Sequence, residues 1–332
     1  MKHWISFLDH SPSAMAEWVE LAMRVKRGES SEPQRALKGR TLVMLFFNPS
    51  LRTRASFEAG MARCGGHAVC LNVGGDAWRI ETRDGVRMDG DCAEHIREAA
   101  PVLGRYGDLL AVRTFAAMKN AEEDARDPVI RSFERFAGRP VINMESAAEH
   151  PCQGLADWMT MQEKLGATRG RRFVLSWAPH IKPLPRAVPH SALLAAAAAG
   201  MEITIAHPPG YALDPKFLEQ AAAWQRAEGG TVRVTEDQRG ACRQADVVYA
   251  KSWGATDWYD DPTAQREDFA RRGDWMVTPD HLGPHTLLMH CLPVRRDLEV
   301  VSAALEDSRC VVVDQAENRM WAQLAMLARL AA

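Results

Sequence analysis

A nearly continuous apolar run, Thr41 to Asn48, ends directly before Pro49-Ser50-Leu51-Arg52-Thr53-Arg54. The run reads as a buried strand, and Leu51 to Cys64 as the helix after it, stopped by Gly65-Gly66. A helix start exposes unpaired backbone N–H groups and the positive end of the helix dipole, which suits a phosphate. Ser50 and Thr53 add hydroxyls, and Arg52 and Arg54 add forked cationic donors. The chemistry this implies is capture of an oxyanion at the carboxyl end of a strand. The alternative is an N-capped helix with solvated arginines.

Two further groups follow apolar runs. Glu145 and His150-Pro151-Cys152-Gln153 lie at a strand-to-helix junction, where His and Gln could hold a carbonyl and an amide. A plain helix entry with proline near its first turn reads equally well. His290-Cys291-Leu292-Pro293-Val294-Arg295-Arg296 follows the strand Leu287 to His290. Cys291 invites a nucleophile reading, but a buried cysteine is more often packing, and spacing alone shows no base beside it.

These residues need a scaffold of alternating strands and helices. Strands are expected at His67–Val73, Asp108–Arg113, Pro140–Met144, Phe173–Trp177, Glu202–Ala206, Thr231–Val234, Asp246–Ala250 and Cys310–Asp314. Helices are expected at Asp91–Tyr106, Cys152–Leu165, Ala187–Ala199, Asp214–Ala227 and Glu317–Leu330, with Asn120–Asp127 a surface excursion. The pattern predicts an α/β protein with two parallel-sheet domains. The 332 residues suit that count. The boundaries fall at 1–150 and 151–314, with 315–332 a C-terminal helix.

Lys plus Arg is 41 and Asp plus Glu is 43, a net charge of −2, which argues against a broad nucleic-acid-binding face. The longest apolar run, Ala192 to Ala199, is too short to span a bilayer. With no signal-peptide pattern at the start, the chain reads as soluble and cytoplasmic. Seven irregularly spaced cysteines without a Cys-x-x-Cys argue against a disulfide framework and a structural zinc site. No metal, dinucleotide or nucleotide signature is present, so no cofactor is expected.

Taken in order, Ser50-Leu51-Arg52-Thr53-Arg54, Arg113, His150-Pro151-Cys152-Gln153 and His290-Cys291-Leu292-Pro293 resemble the aspartate/ornithine transcarbamylase family. The likeness runs from about residue 41 to 319. It implies that Ser50, Leu51, Arg52 and Thr53 cradle the phosphate of carbamoyl phosphate. It implies that Arg113 and His150 donate to the carbonyl oxygen, and that Gln153 and the Cys291 and Leu292 carbonyls hold the carbamoyl NH₂. Arg319, in Glu317-Asn318-Arg319, would reach back from the last helix. Glu145 and Lys251 would hold the amino-acid substrate, and Arg295 its α-carboxylate. Trp78 would cross into a neighbouring subunit, which implies a homotrimer with shared sites.

The Asp-x-x-x-Ser-Met-Gly segment of ordinary ornithine enzymes is missing, and Tyr249-Ala250-Lys251-Ser252-Trp253-Gly254 stands in its place. That segment, the proline-studded stretch Trp177 to Pro185 and Asp76-Ala77-Trp78 look like the N-acylornithine branch, whose second domain is knotted. The branch implies N-acyl-L-citrulline formation in arginine biosynthesis. Acetyl-type relatives carry an acid before Glu94-His95, where this chain has Ala93, and an acid there would repel a succinyl carboxylate. His180 and Lys182 are candidates for that distal carboxylate. Some acetyl-type relatives also carry a modified lysine three residues after the Arg-Arg pair; Glu299 stands here and could supply a similar negative charge unmodified, which keeps the acetyl reading open. Succinyl is favoured, with acetyl the alternative. A catalytically silent anion-binding protein and an NAD-type oxidoreductase are the competing classes. The retained His150, Gln153 and Cys291 argue against the first, and the missing glycine fingerprint against the second.

Overall fold

A computed structural model describes residues 2–227 and 229–332. The chain forms two compact units, Met1–Ala117 with Glu122–Cys152 and Arg319–Ala332, and Met118–Ala121 with Gln153–Asn318.

The first unit opens with helices α1 (Pro12–Lys26) and α2 (Glu32–Leu37), then strand β1 (Thr41–Phe46), helix α3 (Arg52–Arg63), β2 (His67–Asn72), β3 (Ile80–Glu81), β4 (Glu94–His95), α4 (Ile96–Tyr106) and β5 (Leu109–Arg113). Helices α5 (Ala121–Arg126) and α6 (Pro128–Phe136) precede β6 (Val141–Glu145). Four strands form a parallel sheet in the order β2-β1-β5-β6, and β3 pairs with β4 separately. Val43, Leu45, Leu110, Val112 and Val141 turn apolar side chains to Ile96 and Ala100 of α4 and Ile130 and Phe133 of α6. Burial of Leu42–Phe46 and Leu109–Val112 explains why these stretches of β1 and β5 read as apolar runs.

Register at the carboxyl ends positions the chemistry. Phe46 pairs with Arg113, and a shift after Val112 skips Met144, so that Arg113 pairs with Glu145. Gly60 of α3 leaves the gap that the last helix uses: a Cβ there would meet Leu324 Cδ2 at 3.2 Å.

In the second unit α7 (Pro151–Leu165) leads to β7 (Arg172–Trp177), α8 (Ala187–Ala198), β8 (Glu202–Ala206), α9 (Pro215–Ala227), β9 (Val232–Thr235), α10 (Gln238–Arg243), β10 (Val247–Lys251), α11 (Pro262–Arg271), β11 (Leu287–Met289), α12 (Ser302–Leu305) and α13 (Val312–Ala331), whose last part belongs to the first unit. The sheet is parallel, ordered β11-β10-β7-β8-β9. The segments after Trp177, Lys251 and Met289 leave its carboxyl edge. Among the described residues no helix is long and apolar enough to cross a membrane.

Two expectations are corrected. Residues 91–95 are not helical: Glu94 and His95 pair with β3, and His95 Nδ1 caps α4 by accepting the Arg97 N–H at 3.2 Å. Cys310–Asp314 is not a strand. Cys310 makes a single bridge to Leu288, and the helix begins at Val312, with buried Gln315, Asn318 and Arg319 at helical spacing. The β-branched Val311-Val312-Val313 run misleads there. Asn120–Asp127, expected as a surface excursion, contains the short helix α5 and is mostly outside the core.

Candidate active site

In the first unit the residues expected to cradle phosphate occupy the start of α3. Leu51 is the N-cap, exposed and without a side-chain cap bond, and Ser50 Oγ accepts the Thr53 N–H at 3.3 Å. Arg52 is half-buried and Thr53 buried. Arg54 departs from the expected cluster: its Nε donates to Glu58 Oε1 at 3.0 Å, one turn along the exposed face.

Arg319 enters from α13 and donates from Nη2 to Thr53 Oγ1 at 2.7 Å. Arg113 stacks over the Phe115 ring at 4.5 Å and donates to Glu145 Oε2 at 2.5 Å. That same oxygen lies 3.6 Å from His150 Nε2. Burial lowers the His150 pKa well below its ordinary value, and the charges of Arg319, Arg113 and Arg52 lower it further. The imidazole is therefore neutral and can donate a hydrogen bond without being an acid. Burial also lowers the Arg319 pKa, with Arg113 and Arg52 adding to the push. The charges of three guanidiniums, Arg319, Arg113 and Arg52, are thus felt at one buried imidazole, and a positive field of that kind suits an anion.

Inorganic phosphate should accordingly stabilise the protein. At a hundred times its Kd a ligand adds about 2.7 kcal/mol, a rise of a few degrees in Tm. A Tm unmoved by phosphate in a scanning measurement would count against the cradle.

The second unit holds the other candidates. Gln153, buried on α7, donates to Asp157 Oδ1 at 2.8 Å, and Gln315 donates to the same oxygen at 2.6 Å. Gln315 Oε1 in turn accepts the His290 N–H at 3.0 Å. Lys251 ends β10, buried. Leu292 sits at φ 54°, in the left-handed region, which a leucine adopts only when its surroundings impose it.

A carboxylate and an imidazole impose it. His290 Nδ1 accepts the Leu292 N–H at 2.9 Å, which leaves Nε2 to donate to Glu299 Oε1 at 3.4 Å. Glu299 Oε2 accepts the Arg295 N–H at 2.8 Å. Burial works against ionising Glu299, but the His290 bond and the Lys251 ammonium outweigh it and hold the carboxyl at about 2. Both His290 nitrogens are engaged, so this imidazole is not available to Cys291 as a base, and the nucleophile reading loses its support.

His180 accepts from Arg295 Nε at 3.0 Å on Nε2, and its Nδ1 lies 2.9 Å from the Lys182 carbonyl. Burial lowers its pKa and keeps it neutral. With both nitrogens engaged, His180 orients Arg295, and an incoming carboxylate would meet the guanidinium first. Lys182 is exposed.

Trp78 is 63% exposed and donates from Nε1 to Glu94 Oε2 at 2.8 Å. Ala93 N–H donates to the Arg79 carbonyl at 3.2 Å, so residue 93 lies beside the Trp78 loop. Sequence reasoning missed Asp157 and Gln315. Asp157 is detectable as the residue four after Gln153 on one helix face; Gln315 lies one residue past the expected strand Cys310–Asp314 and before the expected helix Glu317–Leu330, in what the structure shows to be α13.

Comparison with known proteins bears on these features. Residues 2–163 match the model of the aspartate/ornithine carbamoyltransferase carbamoyl-P binding domain, and residues 186–330 match that of the Asp/Orn binding domain. The chain is 40% identical over 336 residues to N-acetylornithine carbamoyltransferase of Xanthomonas axonopodis pv. citri, covering 100% of this chain and 97% of that one. It is 39% identical over 295 residues to N-succinylornithine carbamoyltransferase of Bacteroides fragilis, covering 88% of each. Acetylornithine transcarbamylase complexed with acetylcitrulline superposes with a TM-score of 0.94 at 39% identity, over 99% of both chains. A glutamate-to-alanine mutant of N-acetyl-L-ornithine transcarbamylase, complexed with carbamyl phosphate and N-succinyl-L-norvaline, gives a TM-score of 0.94 at 40% identity, over 99% of this chain and 100% of that one.

Proposed function

Because the chain belongs to the aspartate/ornithine carbamoyltransferase family and is a carbamoyltransferase, we propose that it moves the carbamoyl group of carbamoyl phosphate to the δ-amine of an N-acyl-L-ornithine, N-succinyl-L-ornithine in preference to N-acetyl-L-ornithine. The observation that carries the reading is the gathering of Arg52, Arg113 and Arg319 around a neutral His150.

In this reading the start of α3, with Ser50, Leu51, Arg52, Thr53 and Arg319, holds the phosphate. Arg113 and neutral His150 donate to the carbonyl oxygen as it gains charge, the largest single source of rate in acyl transfers. Gln153 and the carbonyls of Cys291 and Leu292 hold the carbamoyl NH₂. The neutral δ-amine attacks the carbonyl carbon, the carbon–oxygen bond to phosphate breaks, and the departing phosphate takes the amine's proton. No protein base is needed, so positioning dominates. Glu145 and Lys251 hold the N-acylornithine and Arg295 its α-carboxylate, while His180 and Lys182 border the acyl end. The product, an N-acyl-L-citrulline, places the step in arginine synthesis.

Ala93 supports the succinyl preference: next to the Trp78 loop it offers no negative charge to a second carboxylate. The N-succinyl-L-norvaline bound to a relative with a glutamate replaced by alanine fits the same logic. Exposed Trp78, with Val102 and Tyr106 along a groove of about 370 Å³, supports a homotrimer in which this loop meets a neighbouring subunit. The test is a set of kcat/KM values for N-succinyl-, N-acetyl- and free L-ornithine with carbamoyl phosphate. The succinyl compound should lead; an acetyl lead would reverse the preference, and no ureido product from any of the three would end the proposal.

A further inference from the structure

The turn carrying His150, between Glu145 at the end of β6 and Pro151 at the start of α7, is held by residues far away in sequence. The Ser146 N–H donates to the Glu149 carbonyl at 2.8 Å and closes the turn. The Ser146 hydroxyl donates to Asp127 and receives Asn143 Nδ2 at 2.8 Å. Glu149, 3% exposed, receives the Ser6 hydroxyl on one oxygen and the Phe7 N–H on the other, the latter at 3.0 Å. The segment bearing Ser6 lies along β6. Trp4 N–H donates to the Val141 carbonyl at 2.9 Å, Asn143 N–H to the Trp4 carbonyl at 2.8 Å, and Asn143 Nδ2 to the Ile5 carbonyl at 2.8 Å.

A carboxyl group buried this deeply is costly, and the proposed reaction has no use for it. We propose that Glu149 is a positioning residue: by clasping Ser6 and Phe7 it fixes the backbone one residue before His150 and makes the N-terminal segment part of the scaffold that aims the imidazole. This rests on the reading of His150 as a donor to the carbonyl oxygen. Misplacing such a donor slightly is enough to slow a reaction by about a hundredfold.

The clasp also has a pH signature. The charged groups facing it are Asp127 and Asp9, both acidic, and Arg131, which lies 3.5 Å from Asp9 and is shared with Glu134. Burial raises the Glu149 pKa to about 7; the bonds from Ser6 and Phe7 oppose it, and the two acids add to it. A folded-state pKa above the ordinary carboxyl value means the stabilisation is complete at low pH and is lost as pH rises through about 7.

The test compares wild type, Glu149→Gln, Glu149→Leu and Ser6→Ala by kcat, KM for both substrates and Tm, from pH 6 to 9. Glu149→Leu should lose about tenfold or more in kcat at unchanged KM for the N-acylornithine, and Ser6→Ala about threefold. Glu149→Gln, which can still accept from Phe7 and pair with Ser6, should restore wild-type kcat at pH 6 and exceed wild type increasingly above pH 7. Lower Tm with unchanged kcat in Glu149→Leu and Ser6→Ala would overturn the assignment, as would a flat ratio of Glu149→Gln to wild type across the range. If Glu149→Leu does not fold, the other two variants decide. An active wild type with unaffected variants defeats this inference alone; a wild type that transfers no carbamoyl group defeats the proposed function and this inference with it.

Discussion

Replacing Arg52 by alanine should cut carbamoyl transfer by about three orders of magnitude, since removing a charge-assisted donor to transition-state charge costs roughly 4 kcal/mol. Arg52 is one of three guanidiniums whose fields converge on His150. Removing it weakens the hold on phosphate and also raises the His150 pKa, because one of the charges that depresses it is gone. The loss should therefore appear in kcat as well as in KM for carbamoyl phosphate. It should leave binding of the N-acylornithine nearly intact, since Lys251 and Arg295 belong to the second unit. Arg54→Ala is the control: its guanidinium is committed to Glu58, so turnover should stay within about twofold of wild type, as expected of an exposed ion pair. Steady-state kinetics in both substrates checks this, and near-normal rates for Arg52→Ala would reject the cradle.

Ala93→Glu should reverse the acyl preference. The new carboxylate would stand beside the Trp78 loop, one residue before Glu94, which already receives the indole N–H. Like charges brought together at a binding site cost several kcal/mol when desolvated, and less at an exposed position such as this one. The ratio of kcat/KM for succinyl over acetyl substrate should fall about ten- to a hundredfold, and the fall should shrink as salt is raised, because screening acts on exposed charges. A ratio that does not move would remove Ala93 from the specificity argument.

Much of the first unit is legible in the residues because β1, β5 and β6 are buried almost throughout. A strand such as Thr41–Phe46, buried from Leu42 on, must be apolar there, and the helix after it begins where the polar residues expected to bind an anion begin. The order of the motifs then pointed to the family. Contacts that depend on tertiary register were not legible. Nothing in the local sequence says that β6 carries an extra residue, Met144, so that Arg113 meets Glu145, or that Arg54 turns to Glu58. The last helix was read too short because three consecutive valines favour a strand locally, while the polar face of Gln315, Asn318 and Arg319 shows its purpose only once their buried partners are known. The sequence singles out His180 as a candidate but does not show that it supports Arg295, which lies 115 residues away.

The most direct measurement follows one turnover with carbamoyl phosphate labelled at its carbonyl carbon and unlabelled N-succinyl-L-ornithine, reading carbon NMR and released phosphate together. The account predicts that the label moves into a ureido carbon on the δ-nitrogen, one phosphate being released for each ureido group formed. Phosphate released without ureido product, or label that stays where it began while the protein is folded and saturated, would contradict it.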